Sequence, residues 1–447
     1  MRDEPQVADG ARASACSDTA PCEPSARDAG QATDQPPRRS SRHGSWGVLP
    51  REVPADPWIA LAACTLLALG LVMVYSASAW LGREVHGDFG YFFRRQAAFA
   101  GLGLVAMLAA SRADYRVLRR FAPHLMLVVL VLLVAVLFTR EINGARRWLR
   151  LGPVNLQPSE LAKIALAVFL SALLARQGER VRSFRLGFLP IVTVSGISML
   201  LVLLERDLGT TILLGVLTVI LLFVAGTRLV YVVAGALVAA PIVWSQIVGV
   251  AYRRARLEEF LESGGYQVRQ ALIAVGSGGW TGLGIGEGRQ KLGFLPENHT
   301  DFILATIGEE LGLLGIGLVV LCFAVLVVRG FVAARYAPDR FGTYLAIGLS
   351  SLFGLQVLVN MAVVLDVIPA KGITLPLLSY GGSSLVASLA AVGILLSISR
   401  RPHPWRLSDQ RGRRPARPTG GRRGKTARRN VRRPRAEAPV SSTPHPA

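Results

Sequence analysis

Between residues 57 and 398 the chain repeats one pattern: an apolar run of close to 20 residues, a polar break, then another apolar run. About 20 apolar residues are what a helix needs to cross the hydrocarbon of a bilayer. In that solvent the backbone must satisfy its own hydrogen bonds, so such segments are helices packed against one another. The pattern predicts an all-α fold, a polytopic membrane bundle of about ten spans, at 57–79, 96–110, 121–138, 158–175, 186–204, 210–225, 229–249, 302–328, 341–365 and 376–398. Residues 250–301 then form a long extracytoplasmic loop between spans seven and eight. Loops well beyond about 15 residues are usually functional or disordered. Near 252–275 this one has an amphipathic piece suited to a membrane surface.

The flanks differ in kind. Residues 1–56 and 399–447 are polar, rich in Pro and Arg and without apolar periodicity, so both read as disordered tails. The first tail does not resemble a cleavable signal, which makes the first span an uncleaved anchor. Of the 50 basic residues the tails hold 22, which reads as attraction to anionic membrane lipid. Only Trp405 interleaves an aromatic with these cations, and nucleic acid is not expected as a partner. The four cysteines, Cys16, Cys22, Cys64 and Cys322, form no C-x-x-C pair and indicate neither a disulfide framework nor a zinc site.

Lys and Arg set the orientation. With the N-terminus in the cytoplasm, the inner loops carry 12 cations in 35 residues and the outer loops 15 in 102. The denser side is the cytoplasmic one, and an even span count returns the C-terminal tail to it. The loop 139–157 strains this rule, because it carries four Arg outward. A function for those cations is the natural reason.

Polar groups at membrane depth are costly and usually functional. Glu160 and Lys163 stand one turn apart in span four; Glu309 and Glu310 sit in span eight; Glu205 and Asp207 lie at the outer end of span five; Gln356 and Asn360 are in span nine. Each has a plainer reading: a structural ion pair for Glu160 and Lys163, helix bridging for Glu309 and Glu310, an N-cap for Asp301, local hydrogen bonding for His299. The glycines 282, 284, 286 and 288 do not make a nucleotide loop, since no strand precedes them. They suit a sharp turn or a close approach of backbone. As a set, the acids and cations gather toward one side. Arg and Lys there suit an anionic head group such as a diphosphate. A carboxylate suits general-base removal of a hydroxyl proton.

Five motifs occur in order: NGARRWLRLG at 143–152, QPSELAKI at 157–164, DLGT at 207–210, LPENHTDFILATIGEELGLLG at 295–315 and PAKGITLPLLSYGGSS at 369–384. Through them the region 57–398 resembles the shape, elongation, division and sporulation (SEDS) family of polytopic peptidoglycan polymerases. The resemblance implies an inverting glycosyltransferase that polymerises lipid II into β-1,4 glycan with release of undecaprenyl diphosphate. It places the catalytic general base on Asp301. It implies substrate binding by Arg147, Glu160, Lys163, Lys291, His299 and Lys371, with a divalent cation, Mg or Mn, as a possible cofactor. The stretch 282–313 is more similar to the FtsW-like septal branch than to the RodA-like elongation branch. Implied partners are lipid II, the nascent glycan, a class B penicillin-binding transpeptidase and other division proteins. The implied location is the bacterial inner membrane at the septum. Arg206, Asp366 and Ala370 depart from the family's usual residues. The rival readings are a lipid II flippase, which needs charges reachable from both faces, and a non-catalytic scaffold, which leaves the buried charges unexplained.

Overall fold

The computed structural model describes residues 54–400 apart from 142, 143, 153, 264 and 371. Residues 1–53 and 401–447 of the tails, and Lys371, therefore lie outside the described residues. Twelve α-helices follow one another: α1 (Pro57–His86), α2 (Tyr91–Arg112), α3 (Arg116–Val136), α4 (Pro158–Gln177), α5 (Leu189–Leu204), α6 (Leu208–Val224), α7 (Leu229–Val248), α8 (Ala251–Ser263), α9 (Tyr266–Gly278), α10 (Ile303–Arg335), α11 (Arg340–Val364) and α12 (Gly382–Ser399). Nine of them are apolar and long enough to cross a membrane, and α6 is a shorter apolar tenth. The protein is a multi-pass membrane protein.

Local chemistry sets the ends. Asp56 accepts the free N–H of Trp58 at 3.0 Å, and Pro57 follows it as the first helical residue of α1. That helix runs past the expected 79 to Gly87, whose φ of 72° closes it. The last span begins at 382 rather than 376, because residues 376–381 turn instead of helping to build α12. The amphipathic piece is two helices, α8 and α9, separated at Gly265 with φ 70°. A small hairpin not expected from the sequence, β1 (Leu149–Leu151) and β2 (Val154–Leu156), pairs Leu149 with Leu156 just before α4.

The interior of the bundle is α4, α11 and α12, packed against α1, α2, α3 and α10. Gly393 on α12 lets α2 approach so closely that a Cβ there would collide with the backbone of Met107. By contrast, no residue of α7 is buried. The two ends of the described chain meet on one side. The Asp56 N–H donates to Ser399 Oγ at 3.1 Å, and Arg329 Nε donates to Asp56 at 2.7 Å. An even number of crossings separates them.

One break in regular structure positions the long loop. Gly312, with φ 67°, interrupts α10. A broken helix at membrane depth strands backbone groups, which is tolerated only where protein meets them. Here the glycine-rich segment does so. Leu283 N–H reaches Glu309 O at 3.0 Å and Gly284 N–H reaches Glu310 O at 3.1 Å, while Leu313 and Leu314 donate to Gly279 O and Trp280 O at 2.9 and 3.1 Å. The glycines serve this splice: a Cβ at Gly282 would strike the Glu310 carbonyl.

Candidate active site

The segment 297–301 descends from the spliced loop and is stitched to the turn before α12. Ser379 Oγ donates to Thr300 O at 2.5 Å, and Tyr380 N–H donates to His299 O at 2.9 Å. The Asn360 amide of α11 donates to Asp301 O at 2.8 Å and to Ile373 O at 3.1 Å. Asp301 is thus fixed by its backbone and lies half-buried. A Cβ built on Gly372 would lie 3.4 Å from Asp301 Oδ2 and 3.6 Å from Arg147 Nη1. The carboxylate and the guanidinium therefore border one small gap beside Gly372, without forming an ion pair.

The electrostatics favour a proton acceptor. Crowding by surrounding protein raises the Asp301 carboxyl from 3.8 to about 7, and Glu297 and Asp207 push the same way; Arg147 and Arg256 oppose them. Such a carboxyl is about half ionised at neutral pH and basic enough to take a proton.

Arg147 comes from the segment just before β1. Its Nη2 donates to Arg206 O at 2.6 Å, and Arg206 Nη1 donates to Gly144 O at 2.7 Å. This two-way clasp binds the 144–147 segment to the turn between α5 and α6, where Arg206 itself has φ 63°. Arg253 of α8 feels the same crowd: burial first, then the positive charges of Arg147 and Arg206, lower its pKa. Arg256, one turn on, donates to Ala370 O at 3.1 Å. Guanidiniums crowded together in this way suit an anion.

The remaining expected residues occupy other settings. Lys163 and Glu160 are both buried and pair with one another at 2.8 Å; among the described residues no hydrogen bond or ion pair joins either to Asp301. Lys291 is buried, and its ammonium donates to Glu310 Oε1, Ser76 Oγ and Gly286 O at 2.7, 3.0 and 2.6 Å. All three of its protons are committed, which leaves none for a diphosphate and places Lys291 in the support of the loop. His299 is buried between the rings of Phe92 and Tyr380, at 5.4 and 5.6 Å between centroids, with Nδ1 3.2 Å from Asn298 Oδ1. Burial lowers its pKa and keeps it neutral. Lys371 lies outside the described residues.

Glu309 takes the N–H groups of Arg289 and Gln290 at 2.6 and 3.1 Å, so the paired glutamates hold the loop in place. Asp207 caps α6 through Thr210 N and Oγ1, at 3.0 and 2.9 Å. Glu205, expected near the outer surface, is fully buried with neither carboxylate oxygen bonded. Burial and then Asp207 raise it to about 9, against Arg147, so it is neutral at pH 7. Among the described residues no group of three or more His, Cys, Asp or Glu could hold a metal ion. Of the carboxylates that act on Asp301, Asp207 caps α6 and Glu297 accepts from Thr300 Oγ1 at 2.6 Å. These residues do not form a preformed cage for Mg or Mn.

Sequence reading missed Arg253, Arg256 and Gly372. The i, i+3 spacing of the two arginines on an amphipathic helix was the available signal for that pair; the role of Gly372 depends on its distance from residues far away in the chain.

A family model described as cell cycle protein, FtsW/RodA/SpoVE, matches residues 57–403. The chain is 45% identical over 353 residues to the probable peptidoglycan glycosyltransferase FtsW of Trichlorobacter lovleyi, covering 77% of this chain and 93% of that one. It is 40% identical over 356 residues to the stage V sporulation protein E of Bacillus subtilis, covering 77% and 97%. Among solved structures it is similar to a chain of a peptidoglycan synthase complex that coordinates polymerization and crosslinking, with TM-score 0.63, 29% identity and coverage of 77% and 98%. It is also similar to the rod shape determining protein RodA of Thermus thermophilus, with TM-score 0.57, 28% identity and coverage of 77% and 97%.

Proposed function

Because the chain belongs to the FtsW/RodA/SpoVE family of cell cycle proteins, we propose that it is a peptidoglycan glycosyltransferase that polymerises lipid II. The observation that carries this reading is the gap bordered by Asp301 Oδ2 and Arg147 Nη1. Asp301 takes the proton of the acceptor's C4 hydroxyl. The freed oxygen attacks C1 of the donor sugar from the face opposite its diphosphate. The C1–O bond to phosphorus breaks, its electron pair leaves with the polyprenyl diphosphate, and the configuration inverts. Arg147, with Arg253, Arg256 and Arg206 around it, offsets the charge that develops on that leaving group. A small apolar groove lined by Ile212, Val216, Leu355, Val359 and Ile373 adjoins Gly372 in sequence and offers an apolar wall to a lipid chain.

The flippase reading has less support. Glu309 and Glu310 are committed to the loop, and α10 carries no further charge until Arg329. The positive-inside bias supports cytoplasmic tails and a site on the extracytoplasmic side of a bacterial inner membrane. The relatives named FtsW support a role in septal synthesis, and the similarity to a chain of a synthase complex supports a class B penicillin-binding transpeptidase as partner. The test is glycan formation from lipid II by the purified protein with that partner. We expect strands from the parent and none from Asp301→Asn at an unchanged unfolding temperature. Full activity in that variant would remove the base role.

A further inference from the structure

Gly372 is exposed and its φ lies outside the left-handed region, so its backbone places no demand for glycine. The missing side chain would project into the space between Asp301 Oδ2 and Arg147 Nη1, at 3.4 and 3.6 Å. The segment that carries it is held on both sides: Arg256 takes Ala370 O at 3.1 Å, and Asn360 takes Ile373 O at 3.1 Å with the same amide that holds Asp301 O. Ala370 and Ile373, which flank the position, are thus tied to α8 and α11. We infer that Gly372 is a specificity-determining position, whose absent side chain leaves the space in which the acceptor hydroxyl reaches Asp301 while the donor's diphosphate rests against Arg147.

This deepens the glycosyltransferase reading and rests on it. Physical size makes the argument testable. An alanine Cβ would be in ordinary van der Waals contact with its neighbours and would not strain the fold. A valine or leucine would extend farther into the space that a sugar must occupy. A displacement of about 1 Å between reacting groups is enough to cost on the order of 100-fold in rate.

The experiment is a series, Gly372→Ala, Gly372→Val and Gly372→Leu, in the full chain with its transpeptidase partner and lipid II. We expect polymerisation to fall stepwise with side-chain size, by about 100-fold or more at leucine, with unfolding temperatures at the parental value. The alanine variant also reports on the site itself. Its Cβ displaces water beside the carboxylate, so the midpoint of its pH–rate profile is expected to rise, which a purely structural change would not produce. Parental rates and an unmoved midpoint across the series, with Asp301→Asn inactive, overturn this inference and leave the glycosyltransferase reading standing. A parent that forms no glycan overturns that reading instead. Should leucine lower the unfolding temperature, the alanine and valine variants decide the matter by the same criteria.

Discussion

Lys291 Nζ lies 2.7 Å from Glu310 Oε1, with Ser76 Oγ 2.7 Å from the same carboxylate and the Gly286 N–H at 3.0 Å. A buried charge left without its partner is destabilising by about 3–5 kcal/mol, whereas apolar replacement of both partners is often tolerated. We expect Lys291→Met to lower stability by roughly that amount and to remove activity by releasing the loop above Asp301. Lys291→Met with Glu310→Met is expected to recover much of the stability but not the activity. Denaturant unfolding in detergent, beside a glycan assay, checks both.

The rate should follow the ionisation of Asp301. As a general base it works only when deprotonated, and Glu297, Arg147, Asp207 and Arg256 together with burial place its carboxyl at about 7. Below that pH, kcat/KM is expected to fall about tenfold per unit, and above it to level off. A profile flat down to pH 5 counts against the assignment.

Glu205 provides a stability signal distinct from the chemistry. Its folded pKa is raised, so folding favours the protonated form; stability is greatest below the unfolded value and is lost as pH climbs toward the folded one. Between 4.5 and about 9 the parent should lose up to about 1.4 kcal/mol per pH unit relative to Glu205→Gln, which cannot ionise. Unfolding free energies of the two proteins from pH 5 to 9 measure that difference.

Gly312 should not accept a side chain. At φ 67° an L-residue costs about 1–3 kcal/mol, and a Cβ there would also strike the backbone of Trp280 and Gly282. Gly312→Ala is therefore expected to reduce the folded yield in membranes and to expose the 279–288 segment to protease. A parental protection pattern would show that the splice does not depend on this glycine.

Arg147→Lys tests the clasp. Lysine keeps the charge but loses the planar fork that reaches Arg206 O at 2.6 Å. We expect a large fall in kcat/KM and a smaller one in stability, and stronger salt inhibition than in the parent. Equal activity in the lysine variant would mean that charge alone suffices there.

Much of the molecule could be read from residue order. Apolar runs fix the ten spans because a bilayer admits few other backbones. Asp56, Asp207 and Asp339 mark helix starts by a local rule, and each accepts an N–H of its own first turn. Asp301 stood out as an acid where a loop meets a span. Local readings failed where distant segments intervene. The glycines of the GLGIGEG run suited a sharp turn or a close approach of backbone, and only the fold shows that they meet the carbonyls and carboxylates of a broken α10. Lys291 looked like a free cation, and only its packing against Ser76 and Glu310 shows that its protons are already used.

Sequence alone therefore determined the class of fold and the approximate number of apolar spans, because both follow from solvent and short-range geometry, while the resemblance of its motifs to a family singled out Asp301. Tertiary structure decided which cations face that acid, which glutamate is neutral and why residue 372 has no side chain. Those properties arise from distances and desolvation between segments up to 225 residues apart, as between Arg147 and Gly372, and such distances exist only once the chain has folded.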